Sequence, residues 1–242
     1  LSAFYTKPRL YDFNDEPLYG VKAQYHFTDS LQVGVSVARS SGTEQGAYFN
    51  IPGNDNEEGQ ITTFNFKYVN NKTLINAESS FSLTNEKVDY ANYINLIQRF
   101  ENLTYSGNFT IAGKNYFGAL RNSLQYSNNL RYRLHKWNFT LGQNMSKINE
   151  RLNPLFFAAA PYYEDYYGGL GYRPNQRHYV SIRLDRRVRE DQLKPRNYYY
   201  KEYGLNYRYA FTSRDFSLRF NGRLAETKNL LAATNVYRKT YA

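Results

Sequence analysis

From residue 118 to residue 134 the chain alternates polar and apolar side chains. The even positions carry Leu120, Leu124, Tyr126, Leu130, Tyr132 and Leu134, interrupted only by Asn122 and Asn128. The odd positions carry Arg121, Ser123, Gln125, Ser127, Arg131 and Arg133. A period of two places the two sets on opposite faces of a β-strand. A strand in a soluble domain commonly runs about five or six residues, whereas about nine to eleven tilted residues cross a bilayer. A two-faced segment of this length fits a wall between lipid and water, and it predicts one long strand over residues 118–134.

The same alternation recurs along the chain. Residues 19–27 set Tyr19, Val21, Ala23, Tyr25 and Phe27 against Lys22, Gln24 and His26. Thr28-Asp29-Ser30 then turns the chain into residues 31–37, a hairpin by pattern and turn chemistry. Further strands are expected at 1–6, 62–68, 74–83, 103–111, 138–148, 178–188, 198–210, 216–224 and 231–241, about twelve in all. Residues 40–59, 85–101 and 149–176 read as long connections, and within the second, 93–100 fits a short helix or a strand equally. The third is the longest and most aromatic, with Phe156, Phe157, Tyr162, Tyr163, Tyr166 and Tyr167 around Glu164 and Asp165. Such aromatics could stack on sugar rings, narrow a channel, or pack over a barrel mouth or into a partner chain. Packing is the favoured reading, because an aromatic loop needs burial. Short turns alternate with long connections through the first half, as in up-and-down barrels, and the rhythm lapses after residue 134.

Among the 242 residues no run approaches the roughly eighteen apolar residues of a transmembrane helix. That does not count against a transmembrane barrel, because half of each strand is polar. The 26 tyrosines and 16 phenylalanines favour strands and suit a membrane interface. There is no cysteine, which excludes disulfides and thiolate metal sites. His26, His135 and His178 lack metal-ligand spacing. No P-loop, dinucleotide fingerprint or G-x-S-x-G is present. Gly168-Gly169-Leu170-Gly171 reads as a loop, since no helix pattern follows it. The expectation is therefore no enzymatic activity, no cofactor and no metal. The net charge of +10 admits nucleic acid, acidic glycans, anionic lipid or an anion-lined pore as partner. The basic residues are scattered rather than gathered into a tail, which argues against nucleic acid.

Taken together, the polar faces carry Lys22, Lys67, Arg121, Arg131, Arg133, Arg183, Arg208, Arg219 and Arg223 against Glu78, Asp185 and Glu202. Guanidinium groups pair with carboxylates, phosphates and sulfates. In a barrel they would line the lumen and favour anions, or else pair with the acids and brace a plugged barrel. Long two-faced strands, tyrosines, short turns against long loops and an arginine-bearing polar face resemble the Gram-negative outer-membrane β-barrel class. Many members end in an aromatic residue, whereas this chain ends Tyr241-Ala242. It also opens and closes in strand-like segments, so a piece of a larger barrel fits as well as a complete one.

The resemblance implies an all-β, up-and-down antiparallel transmembrane β-barrel, one domain over residues 1–242, in the bacterial outer membrane and in contact with its lipid. The first functional reading is a channel or export pore for anionic or sugar-like solutes. Its lining would be Arg121, Arg131, Arg133, Arg183, Arg208, Arg219 and Arg223, with the loop aromatics named above at the rim. The second is a non-conducting scaffold with protein partners in an envelope assembly. The third is a soluble secreted β protein that binds acidic glycans.

Overall fold

A computed structural model describes residues 1–6, 18–40, 59–84, 87–118, 120–152, 159–231 and 236–241. These form fourteen strands in one sheet: β1 (Ser2–Thr6), β2 (Leu18–Thr28), β3 (Leu31–Ser40), β4 (Gly59–Val69), β5 (Thr73–Thr84), β6 (Val88–Arg99), β7 (Leu103–Ala112), β8 (Ser123–Leu134), β9 (Trp137–Ile148), β10 (Pro161–Tyr172), β11 (His178–Asp191), β12 (Tyr199–Thr212), β13 (Ser217–Asn229) and β14 (Val236–Tyr241). The strands lie side by side in chain order. The pairs β1–β2 through β4–β5 and β9–β10 through β13–β14 are antiparallel in their registers. This is the all-β, up-and-down architecture expected of the outer-membrane class. Most strands are ten to fourteen residues long, at or above the length that crosses a bilayer.

Two elements correct the expected count of about twelve. Strand β6 occupies most of the supposed connection 85–101, and β10 occupies the second half of 149–176. With β10 in place the rhythm of connections no longer lapses. Residues 29–30, 70–72, 100–102, 135–136, 173–177 and 213–216 are short turns between even and odd strands. The intervening connections are longer, apart from 85–87.

The expected strand at 118–134 is also corrected. It starts at Ser123, because Asn122 adopts a left-handed backbone with φ of 50°. Gly118 and residues 120–122 form the turn before it. Arg121 therefore lies off the strand.

The chain divides into two compact units, residues 1–96, 108–124 and 148–160, and residues 97–107, 125–147 and 161–242. Exposure is inverted in each. In the first, Tyr25, Phe27, Val35, Phe64, Phe81 and Leu83 are exposed, while Ser80, Ser82, Thr84, Thr110, Asn122 and Asn149 are buried. In the second, Leu141, Val180, Ile182, Leu184, Tyr207 and Phe220 are exposed, while Asp165, Asp185 and Asp191 are buried. Alternation dictates the two faces of each strand. The side that faces away from water in an ordinary globular domain is here the polar one.

Candidate functional site

The polar face of β10 to β13 holds a cluster of arginines and acids that the register assembles row by row. One row runs Asp165, Arg187, Glu202, Thr227. The next runs Tyr167, Asp185, Gly204, Ala225, and the third Gly169, Arg183, Asn206, Arg223. Because side chains two apart on a strand share a face, every second residue of four adjacent strands meets here.

Arg187 is the centre. Its Nε lies 3.3 Å from Asp185 Oδ2 and 3.6 Å from Asp165 Oδ1, and its Nη1 lies 3.4 Å from Glu202 Oε1. Arg183 Nη2 reaches Asp165 Oδ2 at 3.5 Å. Arg223 Nη2 pairs with Glu202 and lies 3.7 Å from Asp185 Oδ2. Asn206 donates to Asp185, and Thr227 Oγ1 donates to Glu202 Oε2 at 3.3 Å. The Arg183 guanidinium stacks 3.9 Å from the centroid of Tyr167, whose hydroxyl accepts from Asn129 at 2.8 Å. A Cβ at Gly204 would sit 2.7 Å from Asp185 Oδ2, so a larger residue there would displace that carboxylate.

Arg183, Arg187 and Arg223 balance Asp165, Asp185 and Glu202. Buried carboxylates are tolerated because each meets a guanidinium. The positive excess of the face lies outside the cluster. One row further toward the short turns, Ser181, Arg208 and Asn221 stand side by side. Among the described residues Arg208 makes no ion pair, and its buried Nε has no hydrogen-bond partner. Arg183, Arg208, Arg223 and Asn206 border a concavity of about 460 Å³. A neighbouring concavity of about 290 Å³ is bordered by Arg187, Arg189, Glu202 and Arg223.

The expected lining residues are thus dispersed. Arg183 and Arg223 belong to the ion cluster, and Arg208 lies beside it. Arg219 is exposed at the turn-side end of β13. Arg131 and Arg133 are exposed at the turn-side end of β8. Arg121 sits in the turn before β8 and is half-buried, with a partner of its own.

The expected loop aromatics are corrected as well. Tyr162, Tyr163, Tyr166 and Tyr167 are strand residues of β10. Tyr163 and Tyr167 share the polar face with Asp165, and Tyr162 and Tyr166 take the other. Phe156 and Phe157 fall outside the described residues. Sequence reasoning missed Arg187 and Asp165 as site residues. The Arg186-Arg187 pair breaks the alternation, and Asp165 lay in the supposed loop. The usable signal was the odd-numbered series Arg183, Asp185, Arg187, Arg189.

No protein-family model and no curated protein matches the sequence. Among solved structures, the chain is similar to OmpT (in-vitro folded), an outer membrane protein of Vibrio cholerae. The identity is 8% and the TM-score 0.47, over 99% of this chain and 89% of that one. It is also similar, at 6% identity and a TM-score of 0.31, to a chain from a study called "Unveiling the Mechanism Behind the in-meso Crystallization of Membrane Proteins", over 96% and 83% of the two chains. One expectation is corrected. The exclusion of enzymatic activity is withdrawn, because it rested on missing motifs alone and a single fold hosts many functions.

Proposed function

We propose that this chain works in the bacterial outer membrane as a β-barrel channel or export pore whose polar face lines the lumen and favours anionic or sugar-like solutes. The observation that carries this reading is the inverted exposure, with apolar side chains exposed and the carboxylates of Asp165, Asp185 and Asp191 buried. An apolar outer face solvated by lipid and a polar inner face solvated by water is the arrangement of transmembrane barrels. Aromatic contacts near the short turns add support, with Trp137 4.3 Å from Tyr172 and His178 4.9 Å from Phe211 between ring centroids. Rings of this kind sit at membrane–water boundaries. Between His178 and Arg186, β11 runs roughly 26 Å at about 3.3 Å per residue. Tilted by about 35–45°, that length projects to roughly 19–22 Å, close to the apolar band of such barrels, about 25 Å tall. The same exposed apolar surface argues against the soluble glycan-binding reading.

In this reading Arg183, Arg187 and Arg223 brace the wall through their acids. Arg208 and Arg219 supply the unbalanced positive charge, with Arg121, Arg131 and Arg133 nearer the ends. The test is the reversal potential in planar bilayers under a salt gradient. Replacing Arg208 and Arg219 together with Ser should shift selectivity toward cations. An unchanged reversal potential overturns the lining role.

A second reading is a plugged, non-conducting scaffold subunit with protein partners in an envelope assembly, and the ion cluster favours it. A wall cross-linked by Asp165, Asp185 and Glu202 suits bracing. Absence of conductance both before and after the substitutions, with stoichiometric partner proteins on purification, would support it over the pore.

A further inference from the structure

The apolar face has a dent with a polar border. At the middle of β10, Gly168 stands in register between Leu141 of β9 and Leu184 of β11. A Cβ there would touch only Leu141 Cδ2, at 3.4 Å, so the space above Gly168 is open. Leu130, Leu141, Leu184 and Tyr203 wall a groove of about 690 Å³ over this glycine.

At its end away from the short turns the groove meets a connected set of polar groups. Gln143 Nε2 donates to the hydroxyls of Tyr126 and Tyr166, each at 2.8 Å. The Tyr166 hydroxyl donates to Glu164 Oε1 at 2.8 Å. Arg186 Nη1 lies 3.5 Å from Glu164 Oε2. Lys147 stands in register with Tyr162, its Nζ 5.9 Å from that ring. Arg186 has five N–H donors, of which Glu164 engages a fraction.

Along β11 the exposed series Val180, Ile182, Leu184 gives way to Arg186 at the level of this border. The groove therefore begins in the exposed apolar series and ends at the level of Arg186. A molecule complementary to it has an apolar chain at one end and an anionic, acceptor-rich group at the other. We propose that the groove is a specific lipid site. It holds an acyl chain of an anionic membrane lipid over Gly168, with the headgroup phosphate against Arg186, Tyr166 and Gln143. The site rests on the reading that this face meets lipid. A second copy of the chain is a poorer occupant. A stable protein interface buries about 1,200–2,000 Å² of well-fitted surface, whereas this groove reaches only from Leu130 on β8 to Tyr203 on β12, four strand spacings or roughly 19 Å across, too small an area for one.

The test is native mass spectrometry of the protein folded in detergent and titrated with phosphatidylglycerol or phosphatidylcholine. Insertion into vesicles of the same lipids is scored separately. The unmodified protein should retain one phosphatidylglycerol in preference to phosphatidylcholine. Gly168→Leu fills the floor and should weaken retention at least about tenfold. Arg186→Gln should remove the preference between the headgroups while leaving acyl retention. Should Gly168→Leu fail to give a β-sheet circular dichroism spectrum, Leu141→Ser with Leu184→Ser provides the same loss through the walls. Equal retention by the unmodified and filled proteins, both inserted into vesicles, overturns the lipid site and leaves the membrane reading standing. Failure of the unmodified protein to insert overturns the membrane reading itself. A lipid-free dimer that Gly168→Leu dissociates assigns the groove to a second copy and overturns the lipid.

Discussion

Asn122 shows how one side chain ends a strand that the sequence pattern would extend. It is 1% exposed and its φ of 50° lies in the left-handed region, which non-glycine residues seldom occupy. Its amide donates to Asn149, its Oδ1 accepts from the Arg151 backbone N–H at 3.0 Å, and Asn149 Nδ2 donates to the Ala159 carbonyl at 3.1 Å. The turn before β8 is thereby clasped to the connection after β9. Polarity alternation could not reveal this, because it registers which side chains are wet and not the backbone dihedral between them. Leu120 fell on the even series by coincidence of spacing. Replacing Asn122 with Ala removes its hydrogen bonds to Asn149 and to the Arg151 backbone N–H, at a cost of about 1–3 kcal/mol. Asn122→Gly keeps the backbone conformation accessible and should cost less than Ala. Urea unfolding midpoints of the micelle-folded variants, compared with the unmodified protein, check both the loss and its order. An Ala variant as stable as the parent would contradict the clasp.

At the scale of elements, β10 marks the limit of what the sequence disclosed. Ten of the twelve expected strands lie on observed strands, with end shifts of at most five residues. The residues 118–134 and 231–241 contain strands that begin later, at Ser123 and Val236. Strand β10 reads Tyr-Tyr-Glu-Asp-Tyr-Tyr-Gly-Gly, in doublets, so each face receives one member of every pair and no contrast appears. Tyrosine is at home on either face, and glycines mimic a loop. Strand β6 was obscured differently, since Asn92 and Gln98 fall on the same series as the exposed Tyr90 and Ile94. Missing β10 hid half of the candidate site, because Asp165 supplies the carboxylate that Arg183 and Arg187 share. The arginines of the polar face were legible; the pairing of Arg183 and Arg223 with acids was not, as pairing depends on register across strands. Asp165→Ala should destabilise the micelle-folded protein by about 1–3 kcal/mol, because it removes the carboxylate that Arg183 and Arg187 share while Arg187 keeps Asp185 and Glu202. Asp165→Ala combined with Arg187→Leu should recover part of that loss. Unfolding midpoints in a double-mutant cycle measure the recovery. Strict additivity would show that the two residues do not act as a pair.

For the whole molecule, the same inversion appears in each compact unit taken by itself, so it does not depend on one local arrangement. A chain with this surface in water would expose apolar residues on strand after strand, a pattern that soluble proteins avoid. The solvent that removes the conflict is lipid, and this leads to opposite expectations for neighbouring residues. Ile182 and Val35 belong to the exposed apolar series, and Ser181 and Ser36 stand on the polar side beside them. In a bilayer, Ile182→Arg and Val35→Arg should cost about 2–4 kcal/mol each near mid-membrane depth, whereas Arg on the lumen side is tolerated far better. In a water-soluble fold the order reverses, since arginine at an exposed position is nearly neutral and at a half-buried serine is costly. Refolding from urea into phospholipid vesicles, followed by intrinsic fluorescence and resistance to protease, ranks the four variants. Large losses at Ile182 and Val35 with small ones at Ser181 and Ser36 support the lipid-facing assignment in both units. The reverse ranking, or a folded monomer in plain buffer, would remove its physical basis.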